Sequence, residues 1–331
     1  MTILRWGILG VAKINDRLLP AFQASRTADL VAIASRTLEK AQAAATAAGI
    51  PVAHASYEAL LADTRVQAVY IPLPNHLHAE WAKKAADAGK HVLCEKPLTP
   101  DAASAADLVA YCRAKNVRLM DGFMWPHHPR TRKIRQLLDA GTIGPVQKVN
   151  AAFTFVLDGL PTENIRMKPE TAGGGLMDVG CYTAFAVRFF MGAEPVSAFA
   201  KASYVNGVDV AMAAVLTFAD GRTASFDTGF THPLRTWVEV VGSEGVVRVP
   251  NLWIPDDRAA FEVQRPAKGF DSGVEVVETP GEDQMVHMLD DFAAAVAGDR
   301  ECVPAPDEAV KTLRVLDAVA KSAREAREVA V

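Results

Sequence analysis

The chain has 331 residues, of which 50% are hydrophobic and 22% charged, proportions that are typical of globular proteins. Its length exceeds what one hydrophobic core usually serves, so two domains are expected. The 35 Lys and Arg residues stand against 39 Asp and Glu residues, for a formal net charge of −4. Because binding to a phosphate backbone needs a basic excess, this balance argues against a nucleic-acid partner.

Cysteine spacing and the lengths of the apolar runs predict the cellular location of the protein. The four cysteines are widely spaced and form no C-x-x-C pair, which predicts neither a disulfide framework nor a metal site. Free thiols of this kind are typical of the reducing cytosol. The N-terminal segment lacks the apolar core of a signal peptide, and no run approaches the roughly 18 apolar residues of a membrane span. We therefore expect a cytoplasmic protein without a membrane partner.

The first 120 residues alternate short apolar runs with alanine-rich helical segments. The predicted strands are 3–9, 30–34, 66–71, 91–94 and 117–120. The predicted helices are 38–48, 79–88 and 102–114. Strands and helices that alternate at this spacing favour βαβ units, with a parallel sheet that is buried on both faces.

After about residue 122 the pattern changes to longer alternating runs, which predict a mostly antiparallel sheet with one face covered by helices. Helical patterns cover 131–140 and 176–191, and the second ends at Gly192, a plausible left-handed cap. The Asp-Gly pair within 219–222 predicts a hairpin with a type I′ turn. The fold is therefore predicted to be α/β with two dissimilar domains.

The change of pattern sets the predicted domain boundary. We assign residues 1–121 to a dinucleotide-binding domain and residues 122–331 to a substrate-binding and oligomerisation domain. A final helix, 306–326, could pack on either domain.

The first strand runs into a turn at Gly10, where a dinucleotide-binding fingerprint would begin. In the frame G-x-G-x-x-G the later positions are Ala12 and Asn15, so the tight-turn glycine alone is present. The turn still allows backbone N–H groups to approach a pyrophosphate, although an ordinary strand-to-helix turn fits equally well. The candidate cofactor residues here are Gly10, Val11, Ala12, Lys13 and Ile14.

The second strand ends about 25 positions beyond Gly10, where NAD-binding proteins place an acidic residue on the ribose. This chain has Ser35, Arg36 and Thr37 instead. A guanidinium can bind a 2′-phosphate that a carboxylate would repel. NADP(H) is therefore expected rather than NAD, with Ser35 and Arg36 as ligands; the alternative is an exposed arginine that merely opens a helix.

The third strand is followed by the loop "PLPNHLH", which starts at Pro72. The carboxyl ends of parallel strands face the cofactor crevice, so this loop supplies further candidates. Asn75 is also a candidate cap for the next helix, while His78 is expected to pack or cap locally. The candidate cofactor residues here are Leu73, Pro74, Asn75 and His76.

The fourth strand runs into "CEKPLT", residues 94–99. We expect the side chains of Glu95 and Lys96 to project into the crevice, with Pro97 fixing the backbone that aims them. A buried lysine is costly unless it is paired or used. The alternative is a surface salt bridge at the end of a strand.

A second group of polar residues lies within "ETAGGGLMDVGCYT", residues 170–183. The glycines 173–175 would let a ligand approach the start of the predicted helix. Asp178 and Tyr182 are spaced i, i+4 and share one helical face, which suits hydroxyl recognition and proton transfer. Alternatively, Asp178 complements the helix dipole and Tyr182 packs in the core.

Taken in order and spacing, the motifs "GILGVAKI", "PLPNHLH", "CEKPLT" and "AGGGLMDVGCYT" resemble the Gfo/Idh/MocA family of oxidoreductases. "LLDAGTIGPVQKV" and "VVGSEGVVRVP" extend the resemblance over essentially the whole chain. It implies a Rossmann domain followed by an α/β domain with a large open, mostly antiparallel sheet, which relatives use for dimer or tetramer contacts. We therefore expect a homodimer or homotetramer.

The resemblance also implies roles for individual residues. Lys96 would act at the nicotinamide and the substrate, and Asp178 would help to hold the substrate. Tyr182, at a position where many relatives have histidine, resembles the branch that contains glucose–fructose oxidoreductase, xylose dehydrogenases and dimeric dihydrodiol dehydrogenases. Trp125 and Arg166 are further candidate substrate contacts.

The leading hypothesis is reversible hydride transfer between NADP(H) and a carbinol carbon of a neutral sugar or polyol, of the aldose or trans-dihydrodiol type. Tyr182 would be a poor base at neutral pH unless a cation such as Lys96 favoured its phenolate. Alternatively, Lys96 itself transfers the proton. Two other functions are weighed against this one: a non-catalytic NAD(P)-binding regulator of the same fold, and an NAD-dependent glycosidase.

Overall fold

The computed structural model describes residues 3–266 and 272–331. The chain divides into two compact units. The first comprises the chain up to Met124 together with Asp283–Val310, and the second comprises Trp125–Glu282 with Lys311–Val331.

The first unit is built on a parallel sheet. Its described strands are β1 (Leu4–Leu9), β2 (Ala28–Ala34), β3 (Val52–His54), β4 (Ala68–Ile71), β5 (His91–Cys94) and β6 (Leu119–Asp121). Their order is β3-β2-β1-β4-β5-β6, and the direction of winding reverses between β1 and β4. This is the Rossmann arrangement, so the predicted fold of the first domain is confirmed. The short strand β3 was not predicted, because three half-buried residues carry no periodic signal.

The described helices include the three predicted for the first domain. Their bounds are α1 (Asn15–Ala24), α2 (Leu38–Ala48), α3 (Tyr57–Leu61), α4 (His78–Asp87), α5 (Ala102–Ala114), α6 (Pro129–Asp139), α7 (Cys181–Met191), α8 (Gln284–Ala297) and α9 (Asp307–Glu325). Side-chain caps define several starts, since Thr37, Ser56 and Asp101 each accept a hydrogen bond from a backbone N–H in the first turn.

Helix α8 belongs to the first unit, so the assignment of every residue after 122 to the second domain is wrong. Phe292 packs against Trp6 of β1, with ring centroids 5.0 Å apart. Asp290 accepts hydrogen bonds from the hydroxyls of Ser25 and Thr27, before β2. Local sequence pattern does not reveal that a helix returns to the first unit after the segment Trp125–Glu282, because its partners decide which face of the helix packs. Most of α9 lies in the second unit.

The second unit contains a large sheet. Its described strands are β7 (Val146–Val156), β8 (Pro195–Val205), β9 (Val208–Phe218), β10 (Thr223–Gly229), β11 (Thr231–Arg235), β12 (Val238–Gly242), β13 (Val246–Val249), β14 (Phe261–Pro266), β15 (Ser272–Val277) and β16 (Val329–Ala330). The order is β15-β14-β13-β12-β7-β10-β9-β8-β16, with β11 beside β7. Among the described pairings β7–β10 is parallel and the others are antiparallel. The prediction of a mostly antiparallel sheet is therefore confirmed. Helix α7 packs on β7 and β10.

Two predicted details of the second unit are corrected by the backbone. The hairpin between β9 and β10 forms, but Gly221 alone adopts a positive φ, of 86°, and its N–H donates to the carbonyl of Phe218. Asp220 does not share that conformation, so the turn is not type I′. The helix predicted from Leu176 instead begins with a π turn, Leu176–Gly180, before α7. The left-handed cap at Gly192 is confirmed, with φ of 62°.

Candidate functional site

The turn after β1 is shaped to bring backbone N–H groups together. Gly10 has φ of 135°, and a Cβ there would lie 3.1 Å from the Leu73 side chain. Asn15, which is 4% exposed, donates from Nδ2 to the Gly10 carbonyl at 2.9 Å. Within the described ranges, no protein acceptor bonds the N–H groups of residues 11–14. Asn15 therefore locks the turn instead of weakening it, and the free N–H groups suit a pyrophosphate.

The end of β2 places a cation beside this turn. Ser35 is buried, whereas Arg36 is exposed and forms no ion pair within the described part of the chain. Tyr57, which the sequence analysis did not single out, lies nearby: its hydroxyl is 3.9 Å from where a Cβ of Gly10 would be. Burial raises the pKa of Tyr57, and the Arg36 charge opposes that shift. The guanidinium is thus available to an anion at this edge of the sheet.

The loop after β4 is a tight backbone segment. Pro74 precedes a 3₁₀ turn over Asn75–Leu77, and α4 begins only at His78. The N-cap position of α4 is Leu77, which has no capping side chain, and Asn75 is the first residue of the 3₁₀ turn. His76 is exposed, and Leu73 and Pro74 are half-buried. Because this loop follows a strand adjacent to β1, its residues stay candidates for cofactor contact.

His78 joins two of these loops. The ring is completely buried, with Nε2 2.7 Å from the carbonyl oxygen of Leu73 and Nδ1 2.9 Å from that of Pro97. Burial lowers the pKa of His78 to about 4, while the two carbonyls oppose the shift. At neutral pH the ring therefore carries a single N–H. The expectation of local packing missed its reach to the second loop.

At the end of β5, the adjacent residues Glu95 and Lys96 have different surroundings. Glu95 turns inward, where its Oε1 accepts a hydrogen bond of 2.6 Å from the buried Tyr70 hydroxyl. Asp121, at the end of the neighbouring β6, lies against it, and burial with the Glu95 charge raises the pKa of Asp121 well above its usual range. The expectation that both Glu95 and Lys96 project into the crevice is therefore wrong for Glu95. Lys96 is half-buried, and its backbone N–H donates to Glu95 Oε2 at 3.3 Å.

In the second unit, Asp178 is held by an arginine. The Nε of Arg166 donates to Asp178 Oδ2 at 2.6 Å, and the two side chains are 40% and 15% exposed. The pair brings hydrogen-bond donors and an acceptor together in one place. Such a combination suits a ligand with neighbouring hydroxyls, since one hydroxyl can donate while another accepts.

Protein neighbours require the absence of side chains at the glycines of 173–175. A Cβ at Gly173 would meet the Arg166 carbonyl at 2.5 Å, and one at Gly174 would collide with the carboxylate of Asp209. Asp209 is buried and accepts a 2.6 Å hydrogen bond from the Leu176 N–H. Its carboxylate therefore caps the segment that carries Asp178 and Tyr182.

Tyr182 lies among aromatic side chains. Its ring centroid is 5.2 Å from that of Phe153 and 5.7 Å from that of Trp253. Trp125 is completely buried, and its ring contacts Phe185 and Trp253. With no exposed surface, Trp125 offers no face to a substrate, so its predicted substrate contact is corrected to a packing role.

The described residues lack two other kinds of feature. None of their helices is long and apolar enough to cross a bilayer. No cluster of three or more His, Cys, Asp or Glu side chains among them is placed to hold a metal ion.

Comparison with known proteins decides the family. Residues 4–123 match the family model described as an oxidoreductase family with an NAD-binding Rossmann fold, and residues 131–248 match the Gfo/Idh/MocA C-terminal domain. The chain belongs to the Gfo/Idh/MocA oxidoreductase family. The resemblance inferred from the four motifs is thereby confirmed.

Relatives within the Gfo/Idh/MocA family match over 76–97% of the chain. A D-xylose 1-dehydrogenase (NADP⁺) of Haloferax volcanii is 40% identical over 325 residues, 97% of each chain. A trans-1,2-dihydrobenzene-1,2-diol dehydrogenase of Xenopus tropicalis is 33% identical over 76% of this chain and 77% of that one. The structure of a 3-ketoreductase from Actinomadura kijaniata, in complex with NADP and TDP-benzene, has a TM-score of 0.88, 33% identity and coverage of 97% and 98%.

The buried histidine makes stability depend on pH. A ring with a pKa of about 4 in the folded protein and about 6.5 in the unfolded chain stays neutral on folding, so its contribution is present above pH 6.5 and lost as the pH falls towards 4. The difference corresponds to roughly 3 kcal/mol. Urea unfolding of His78→Gln at pH 7 and pH 4.5 should show a smaller pH effect than the unsubstituted protein. The exposed-site control His232→Gln should keep the full effect; equal pH effects in His78→Gln would contradict the assignment.

Proposed function

We propose that the protein is an NADP(H)-dependent oxidoreductase that transfers a hydride to or from a carbinol carbon of a sugar or polyol-like substrate. The observation that carries this proposal is the carboxyl edge of the parallel sheet, where the glycine turn, the exposed Arg36 and the half-buried Lys96 lie at the ends of β1, β2 and β5. Among the described residues, no protein acceptor bonds the N–H groups of 11–14 and Arg36 forms no ion pair. A D-xylose 1-dehydrogenase and a trans-1,2-dihydrobenzene-1,2-diol dehydrogenase among the relatives support the substrate class.

The cofactor residues divide by chemistry. The backbone of 10–14 would bind the pyrophosphate, and Ser35 with Arg36 would bind the 2′-phosphate, which favours NADP over NAD. The loop Leu73–His76 would pack along the cofactor. Glu95 supports this edge from within through Tyr70, and we propose no direct contact for it. NADP as cofactor agrees with the relative from Haloferax volcanii.

The nicotinamide supplies hydride exchange when the cofactor is bound. The chain must then hold the substrate and move one proton between the substrate oxygen and a side chain. We assign substrate binding to Asp178 with its partner Arg166, and proton transfer to Lys96 or Tyr182. In the oxidative direction the hydroxyl loses its proton to that side chain as the carbinol hydride leaves, so a carbonyl, a reduced cofactor and a proton result.

The two other functions predict different experimental results. A regulator that merely senses the cofactor would bind NADP without turnover, whereas a glycosidase would hydrolyse its substrate with no net change in nicotinamide absorbance. Following that absorbance with a panel of aldoses and diols separates the oxidoreductase from the other two functions, and an assay for hydrolysis of glycosides separates the glycosidase from the regulator. Net reduction of NADP supports the oxidoreductase, and its absence with every substrate in the panel would contradict it.

We further propose that the chain assembles into a homodimer or homotetramer through its large sheet. One face of the sheet is covered by α7, but the other carries apolar side chains in the open, including the cross-strand pair Phe199 and Val215. Apolar pairs at neighbouring positions on an exposed sheet favour contact with another protein surface.

A cytoplasmic location is proposed on the state of the thiols. All four cysteines are free and buried. Free thiols are the normal state in a reducing compartment.

Arg36 should decide the cofactor preference. Arg36→Ala removes a charge-assisted contact to the 2′-phosphate, so the Kd for NADP should rise about 10–100-fold while that for NAD changes little. Fluorescence titration measures both constants. Arg26→Ala is the matched control, because Arg26 is also exposed but lies before β2 and not after it. An unchanged NADP affinity in Arg36→Ala would show that another group binds the phosphate.

Lys96→Ala and Tyr182→Phe should each lower kcat by about 10²–10⁴-fold while NADP binding stays intact, since each removes a group from proton transfer. The controls Lys148→Ala and Tyr204→Phe, at exposed sites, should keep full activity. The pH profile separates the two roles. If Lys96 favours the phenolate, Lys96→Ala recovers activity as the pH approaches ~10; if Lys96 is the acid, it does not. Unreduced single-turnover rates in both variants would contradict the assignment.

The open sheet face should govern assembly. Phe199→Asp puts a charge on the apolar face and should shift the protein towards monomers in sedimentation velocity, because an interface tolerates a buried unpaired charge poorly. Val331→Asp, a substitution at an exposed apolar residue near the C-terminal strand β16, is the control. A single unchanged species in both variants would place the interface elsewhere.

A further inference from the structure

The contacts of His78 reach beyond those of an ordinary core histidine. Its two ring nitrogens lie at hydrogen-bond distance from two carbonyl oxygens, 2.7 Å from Leu73 and 2.9 Å from Pro97. The carbonyls belong to different loops, one after β4 and one after β5. One rigid ring, held at the first residue of α4, therefore bridges two neighbouring strand ends.

Each bridged loop leads to a different part of the site. The Leu73 side chain packs against Gly10, so this loop adjoins the phosphate turn. Pro97 directly follows Lys96, so its carbonyl fixes the backbone that carries the lysine. Because the ring is planar and fully buried, a shift of one loop is transmitted to the other.

We propose that His78 is a positioning residue that couples the cofactor-binding loop at Leu73–His76 to Lys96. The inference rests on the proposed function for the role of Lys96, but the effect on NADP binding is independent of it. At neutral pH the ring has one N–H, so it donates to one of the two carbonyls, and the tautomer decides which; the other carbonyl oxygen lies against the unprotonated nitrogen without a hydrogen bond. Lys96 and His76 are the charged or titratable groups that act on the ring.

A double-mutant cycle tests the coupling. His78→Phe keeps a planar ring but removes both nitrogens, and it should raise the Kd for NADP about tenfold and lower kcat about tenfold. In a Lys96→Ala background it should lower kcat no further, because its effect on kcat passes through Lys96, yet it should raise the Kd for NADP by the same factor. Multiplicative losses of kcat in the double variant would overturn the proposal.

A second histidine separates positioning from stability. His91 lies at the opposite end of β5, where its Nδ1 accepts a 2.9 Å hydrogen bond from the Arg118 N–H. His91→Phe should lower Tm and leave kcat and the Kd for NADP unchanged. A His78→Phe variant that loses Tm alone, as this control does, would make His78 merely structural. If His78→Phe does not fold, His78→Gln takes its place, with an expected loss in the same direction.

The outcomes also distinguish this inference from the proposed function. If the substrate panel gives no turnover, the proposed function fails, and the NADP titration then decides on His78 alone. A tenfold weaker NADP affinity in His78→Phe supports the bridge between loops, whereas unchanged affinity overturns it.

Discussion

The first unit depends on one constraint: six parallel strands end at the same edge of a sheet whose winding reverses between β1 and β4. No crossover connection passes over the carboxyl ends of β1 and β4 where the winding reverses, so the loops after neighbouring strands surround an open crevice. The glycine turn, Arg36, the loop at Leu73 and Lys96 all come from this edge. None of them is adjacent in sequence, and the sheet alone brings them into one region.

Buried polar groups at the strand ends hold the carboxyl edge of the sheet in place. Tyr70, Glu95 and Asp121 stand at the ends of three adjacent strands, where the Tyr70 hydroxyl bonds Glu95 and burial raises the pKa of Asp121. A lone buried carboxylate would be expensive, and the hydrogen bond from the Tyr70 hydroxyl offsets part of that cost for Glu95. His78 adds a second support between two loops. The position of Lys96 is thus determined by residues that themselves do no chemistry.

In the second unit as well, a buried polar side chain fixes the backbone that carries the candidate site residues. A carboxylate, Asp209, occupies the space that the glycine run leaves open and bonds the Leu176 N–H. It holds the start of a segment whose first turn is a π turn, a feature that often accompanies functional positions. Asp178 then emerges beside Arg166, on a different loop. The substrate candidates therefore depend on an acid 31 positions further along the chain than Asp178.

Local patterns in the sequence determined much of this protein: the alternation that demands a parallel sheet, the helix bounds at Thr37 and Gly192, and the motifs that mark the family. These features follow from hydrogen bonding and periodicity within a few residues. Tertiary structure alone decided the rest. It returned α8 to the first unit, buried Trp125, turned Glu95 inward, and placed the Asp209 carboxylate against the glycines of 173–175. Each of these outcomes depends on contacts between residues far apart in sequence, whose burial and pairing no local pattern encodes.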